Sequence, residues 1–148
     1  MRGNYDTFNK LSTITTAALA NGNLDCEASK IAVGHFAMRT GKWHWNITST
    51  GGTTTVGMVN ADGTATSTRG VTTGVTEGFR FDADAGTFDY TTDGAAWTSI
   101  ATGLTTVPYF TYVSTAASTV ASLNAGQRAF AWTGPSGYKA LCTQNLPT

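Results

Sequence analysis

The carboxylates are the first residues to test for chemistry. The chain has only two glutamates, Glu27 and Glu77. A glycosidase needs two carboxyl groups about 5–9.5 Å apart. Glu77 with Asp82 or Asp84 is the one local pairing that offers such a set. Yet all three flank one expected hairpin, where acids commonly accept hydrogen bonds from a turn. Asp82, Asp84 and Asp89 also suggest hard oxygen ligands for Ca²⁺, but the run 82–86 lacks the downstream Glu of an EF-hand loop. These acids are therefore read as turn formers, and no metal is expected. Of the two histidines, His35 and His44, His44 alternates with Trp43 and Trp45, which puts it on the outward face of a strand. No Ser-His-Asp or Cys-His grouping can be assembled. Asn46-Ile47-Thr48 is a glycosylation sequon, poorly placed inside a core strand. The chemistry-bearing residues thus predict no enzyme and no cofactor.

Cysteines and aromatics carry the remaining options. Cys26 and Cys142 pair if the first and last strands lie side by side; otherwise they are two small buried thiols. Trp43 and Trp45 share a face with Ile47, so burial is expected for both rather than sugar stacking. Trp97, beside the Asp93-Gly94 turn, is the candidate exposed aromatic platform.

Several features show what kind of fold must hold these residues. The chain has 148 residues, nine Lys plus Arg against nine Asp plus Glu, and 12% charged residues. Zero net charge argues against nucleic acid, which calls for a basic face. No apolar run is long enough to span a membrane as a helix. Nothing at the start reads as a signal peptide, and residues 1–3 can be a cloning scar. Threonine leads the composition with 29 residues, and threonine with glycine favours strands and turns. Residues 42–48 are the clearest strand, with Trp43, Trp45 and Ile47 on one face. Phe79 and Phe81, then Phe88 and Tyr90, alternate around a four-residue loop ending in Gly86. Asn21-Gly22-Asn23, Asp93-Gly94 and residues 134–137 mark further turns. Residues 60–76 read as a long loop or weak edge. Residues 24–28, 107–113, 119–125, 130–133 and 138–143 are further strands. About ten to twelve short antiparallel strands without an amphipathic helix predict an all-β sandwich, with one domain over residues 4–148.

The quoted runs resemble the SPRY domain, the concanavalin-like sandwich called B30.2 in its longer form. They come closest to the SPRY-like modules of bacteriophage and marine-virus structural proteins. Gly41-Lys42-Trp43-His44-Trp45-Asn46-Ile47 is similar to the family's Gly-Lys-Trp-Tyr-Trp-Glu-Val strand, and Val56-Gly57-Met58-Val59 to its Val-Gly-Ile. Residues 81–88 followed by Asp93-Gly94 resemble its next hairpin and turn. Residues 123–130 resemble Leu-Asn-Phe-Gly-Gln-Arg-Pro-Phe, and residues 137–147 resemble the ending of the viral modules. Asn46 stands where the family has an acid, and Ala125 and Ala129 where it has Phe and Pro. Another aromatic, Trp132 or Tyr112, is expected to fill the space beside Ala125.

The resemblance implies a non-catalytic binding or assembly module of a viral structural or tail-fibre protein, placed in the virion or outside the cell. It implies docking of a protein or a host-surface glycan through loops at one end of the sandwich: residues 51–55, 60–76, 92–97 and 114–118. The loop candidates for ligand contact are Asp62, Arg69, Asp93 and Trp97. A glycan-binding module of a larger enzyme or adhesin, or a structural decoration of the particle, are the alternatives, and a fibre implies a homotrimer. The expected core is Trp43, Trp45, Ile47, Phe79, Phe81, Phe88, Leu123, Phe130 and Leu141. The resemblance also implies that the strands at 24–28 and 138–143 lie close together.

Overall fold

A computed structural model describes residues 4–10, 12, 15–16 and 19–145, apart from the side chain of Ser67. Residues 14–19, the arm expected to lead into the Asn21-Gly22-Asn23 turn, fall largely outside these residues. Chain order gives β1 (Leu19–Ala20), β2 (Asp25–Cys26), β3 (Ile31–Val33), β4 (Lys42–Thr50), β5 (Thr54–Asn60), β6 (Ala65–Val71), β7 (Thr76–Asp82), β8 (Thr87–Thr91), β9 (Thr98–Ala101), β10 (Tyr109–Thr115), β11 (Val120–Asn124) and β12 (Lys139–Ala140), then a 3-10 turn, Thr143–Asn145.

The tryptophan strand organises the larger sheet, whose order is β1-β2-β11-β4-β7-β8-β9, with β12 running parallel to β4. The register places Trp43 opposite Phe81 and Trp45 opposite Phe79, and then Phe81 opposite Phe88. Because side chains alternate across a strand, all of these rings project into one layer. Trp45, Phe79 and Phe88 stack with centroids 5.9–6.1 Å apart. The smaller sheet, β3-β10-β5-β6, closes the sandwich with Ala32, Val56, Met58, Tyr109 and Val113. All the expected core residues except Phe130 are buried.

Where structure and expectation differ, the reasons are local. Of the two readings of residues 60–76, loop or weak edge, the edge is the one found. These residues hold edge strand β6, which pairs with β5 across a bulge between Val56 and Met58. Its Thr- and Gly-rich sequence lacks large apolar residues because an edge strand needs few. Residues 130–133 form no strand, and Phe130 is only half-buried. The chain leaves β11 and crosses the outer face of the larger sheet as an irregular strap. That strap also covers His44, which lies on the outward face as expected but is only 7% exposed. Gly134 packs on its ring so closely that a Cβ there would collide, and the Phe130 ring lies 4.4 Å away, centroid to centroid.

The strands at 24–28 and 138–143 belong to the same sheet but do not pair with each other. Residues 24–28 contribute β2, which pairs with β1 and β11, whereas β12 pairs with β4. Closure comes instead from residues 4–6: Asp6 N–H donates to Leu141 O (2.8 Å) and Thr143 N–H to Asn4 O (2.9 Å). Cys26 and Cys142 are both buried and free. Neither expected aromatic fills the space at Ala125. The Trp132 indole lies over Gly94 and donates to Thr76 O, and Tyr112 alternates with buried Thr111 and Val113 on the outer face. The ring beside this turn is Tyr5, packed against Gly126.

Candidate functional site

Strand directions assign every connection to one of two ends. β4 finishes at Thr50 and β5 starts at Thr54, so the Thr50 end carries residues 51–53. The same end receives residues 27–30, 72–75, 92–97 and 116–119. These connections form a rim whose tips are exposed and whose bases are fixed. Ser49 Oγ hydrogen-bonds Gly52 O and Thr54 Oγ1, both at 2.8 Å. Gly74 N–H donates to Ser49 O (2.7 Å), Ser29 N–H to Ala116 O (3.0 Å) and Ala116 N–H to Thr53 O (3.3 Å). Gly51, at φ 85°, passes so close to Ser118 that a side chain would strike its carbonyl. Only glycine fits both the backbone angle and the space.

The four loop candidates do not come together. Asp93 and Trp97 lie at the Thr50 end. The Asp93 carboxylate accepts Ala95 N–H (2.9 Å) and Ala96 N–H (3.0 Å). Those bonds, Ala96 first, hold it below the ordinary carboxylate range. Asp62 sits in the β5–β6 turn at the opposite end, with β6, about 20 Å of strand, between the two ends. Its side chain is exposed. Arg69 is on β6 itself. Its guanidinium grips Glu77 across the sandwich with two bonds, Nε–Oε2 3.0 Å and Nη2–Oε1 2.9 Å, and lies 3.8 Å from the Tyr90 ring centroid. Trp97 is half-buried, with the Arg80 guanidinium 4.7 Å from its ring centroid.

The acids considered for catalysis or calcium are likewise engaged. Glu77 holds Arg69. Asp82 Oδ1 accepts Asp84 N–H (3.1 Å) and Ala85 N–H (2.9 Å), an Asx turn as expected. Asp84 accepts Gly41 N–H (3.1 Å), and Asp89 pairs with Arg80 at 2.7 Å. No cluster of three His, Cys, Asp or Glu residues suited to a metal occurs among the described residues. Each of these four acids is thus already held by a hydrogen bond or an ion pair.

The burial of two ionisable groups was not foreseen in the sequence. Asp6 accepts His35 N–H (2.8 Å), Phe36 N–H (2.9 Å) and the Thr111 hydroxyl (3.2 Å). It ties the N-terminal segment to the smaller sheet beside a cavity of about 550 Å³ lined by Tyr5, His35, Phe36 and Arg39. Complete burial outweighs those bonds and raises its pKa to about 6. The signal was thin, since one Asp in an Asn- and Thr-rich segment shows no periodicity. His44, buried under the strap with no partner for Nδ1, is lowered to about 4 by desolvation.

The two shifts have opposite linkage. His44 favours folding fully above its unfolded value near 6.5 and loses that contribution as pH falls towards 4. Asp6 favours folding most below its unfolded value near 4 and loses that contribution as pH rises through 6. Each spans on the order of 2–3 kcal/mol, so they largely cancel between pH 7 and 4.5. We therefore expect Asp6→Asn to lose stability over that interval and His44→Gln to gain it. Urea melts at the two pH values would show this. Parallel responses of the two variants would refute the assignment.

No family model matches the chain, and no curated protein sequence matches it. Solved structures do. The crystal structure of the TRIM65 PSpry domain aligns with a TM-score of 0.61 at 10% identity, covering 81% of this chain and 92% of that one. The SPRY domain of human HERC1 aligns with a TM-score of 0.61 at 11% identity, covering 82% and 99%. The fold is SPRY-like. At this identity the likeness concerns backbone architecture. Within that SPRY-like frame, the rim and the strap are built by this chain's own residues.

Proposed function

We propose that this chain is a non-catalytic, SPRY-like protein-binding module that docks its partner on the rim at the Thr50 end. The observation carrying this reading is the contrast within the rim. Exposed small residues, among them Thr53, Thr73, Ala95, Ala117 and Ser118, ride on bases locked by glycine contacts and short hydrogen bonds. A rigid scaffold that presents exposed loops suits recognition, and pre-organised loops lose less entropy on binding. The solved SPRY domains support the coarse reading through their shared fold. The ending at residues 137–147 supports a viral particle or fibre as the setting, with repeated copies gaining avidity. Trp97 already carries Arg80 on one face, which favours a protein partner over a glycan.

Photo-crosslinking residues placed singly at Ala95, Ala117 and Asp62 test the rim. The preparations would be offered to assembled particles, host cells and a glycan panel. Adducts from Ala95 and Ala117, with none from Asp62 at the far end, are expected. Adducts from Asp62 alone, or hydrolysis of any glycan by the purified chain, would sink the reading.

A further inference from the structure

The outer face of the larger sheet carries a pocket of about 180 Å³ lined by Asn46, Thr48, Thr76, Ser122, Asn124 and Arg128, among others. Register explains its composition. Ser122 stands opposite Thr48, and Thr48 opposite Thr76, so three hydroxyls form one row across β11, β4 and β7. Asn124 stands opposite Asn46 in the next row. The strap passes over this second row and walls the pocket with Arg128, Ala129 and Ala131.

The acceptors of the two carboxamides are already engaged. Asn46 Oδ1 takes Ala131 N–H (3.0 Å) and Trp132 N–H (3.2 Å). Asn124 Oδ1 takes Gly126 N–H (3.0 Å) and Arg128 N–H (3.4 Å). Donors remain. Each amide nitrogen has two hydrogens and gives one, to Trp132 O and Ala129 O respectively. Thr48 and Thr76 share one bond at 2.7 Å, which leaves one hydroxyl proton over. Among the described residues the Ser122 hydroxyl and the Arg128 guanidinium have no side-chain partner. No carboxylate lines the pocket. Asp25 stands opposite Ser122 on β2, but its carboxylate accepts from Asn21 and lies outside the lining.

We infer that this pocket binds a carboxylate, and that the carboxylate is an acidic side chain of a protein partner. A cation with hydroxyl and amide donors around it, and no carboxylate in the lining, matches an anion whose oxygens only accept. The volume equals about six waters at ~30 Å³ each, room for a carboxylate on a short stem. No aromatic ring lines the pocket as a platform for a sugar, which is why a peptide acid is favoured over a sugar acid. The inference is independent of the rim, because the pocket opens on a sheet face and uses no rim loop.

The test is titration of the ¹⁵N-labelled chain with N-acetyl-glutamate methylamide, its glutamine isostere and N-acetylneuraminic acid. Saturable shifts at Thr48, Ser122 and Arg128 are expected with the glutamate compound. Binding of the glutamine isostere should be roughly tenfold weaker, and added salt should weaken the glutamate response. Arg128→Ala, at an exposed position, should remove most of the response. Ser122→Ala should reduce it, and both variants should keep a dispersed spectrum. Equal binding of the glutamate and glutamine compounds, or unchanged affinity in Arg128→Ala, would overturn the pocket. Tighter binding of the sugar acid would overturn the peptide source.

Discussion

Trp45→Ala is expected to destabilise this protein more than any other single truncation, by about 3–5 kcal/mol. The indole is fully buried and forms one corner of a three-ring cluster with Phe79 and Phe88. Removing it deletes the largest side chain of the core. The surrounding strands are held by long ladders on both sides of β4, so they can collapse only partly into the space. A domain of this size has about 5–15 kcal/mol in total, so the loss is a large share of it. Trp45→Phe separates two effects. The indole Nε1 is buried without a hydrogen-bond partner, and an unsatisfied buried donor costs about 1–3 kcal/mol. Phenylalanine removes that penalty while leaving a smaller cavity, so it should cost far less than alanine. Urea denaturation of the three proteins at one pH gives both values. A loss below about 1 kcal/mol for Trp45→Ala would mean that the stack does not organise the core.

The core was legible because its signal is local. Trp43, Trp45 and Ile47 at period two, and the two aromatic pairs around Gly86, state their own register. The turns were legible for the same reason: Asn21, Gly22 and Asn23 all have positive φ, as their types suggest. Edge strand β6 was legible only as one of two readings, because Thr-Ala-Thr-Ser-Thr has no apolar face to alternate. The strap was illegible in a different way. Phe130 and Trp132 alternate as a strand would, yet they pack down on the sheet through Asn46 and His44, contacts made 85 or 86 positions away in sequence.

The site was less legible than the fold. Asp93 was found through its Asp-Gly turn, and the structure shows it serving that turn. Asp62 sits in a comparable turn at the other end, and no local pattern could separate the two. Arg69 was selected from a stretch read as a loop or weak edge. Its partner is eight positions along the chain but in the opposite sheet, and only the crossing from β6 to β7 reveals that. The rim depends on which loops share an end, a property of topology.

That crossing also sets the second large effect. Arg69→Ala should cost about 3–5 kcal/mol, because it strands the Glu77 carboxylate, 3% exposed at its side chain, without a counter-charge. Glu77→Ala should cost less. The Arg69 side chain is 32% exposed, so its guanidinium can turn towards water while its stem still packs on Tyr90. The order of the two losses therefore reads which partner is the buried one. The double change Arg69→Met with Glu77→Leu removes both charges and restores apolar packing between the sheets. It should recover most of the loss, since buried ion pairs are often replaced by apolar residues at little cost. Thermal melts of the four proteins would complete the cycle. If Glu77→Ala proved the more damaging, or if the double variant were no better than Arg69→Ala, the pair would owe its value to something other than neutralising a carboxylate between the sheets. The cycle also bears on recognition. A clamp that pins β6 to β7 fixes the spacing of residues 72–75, so Arg69 shapes the rim from behind and needs no direct contact with the partner.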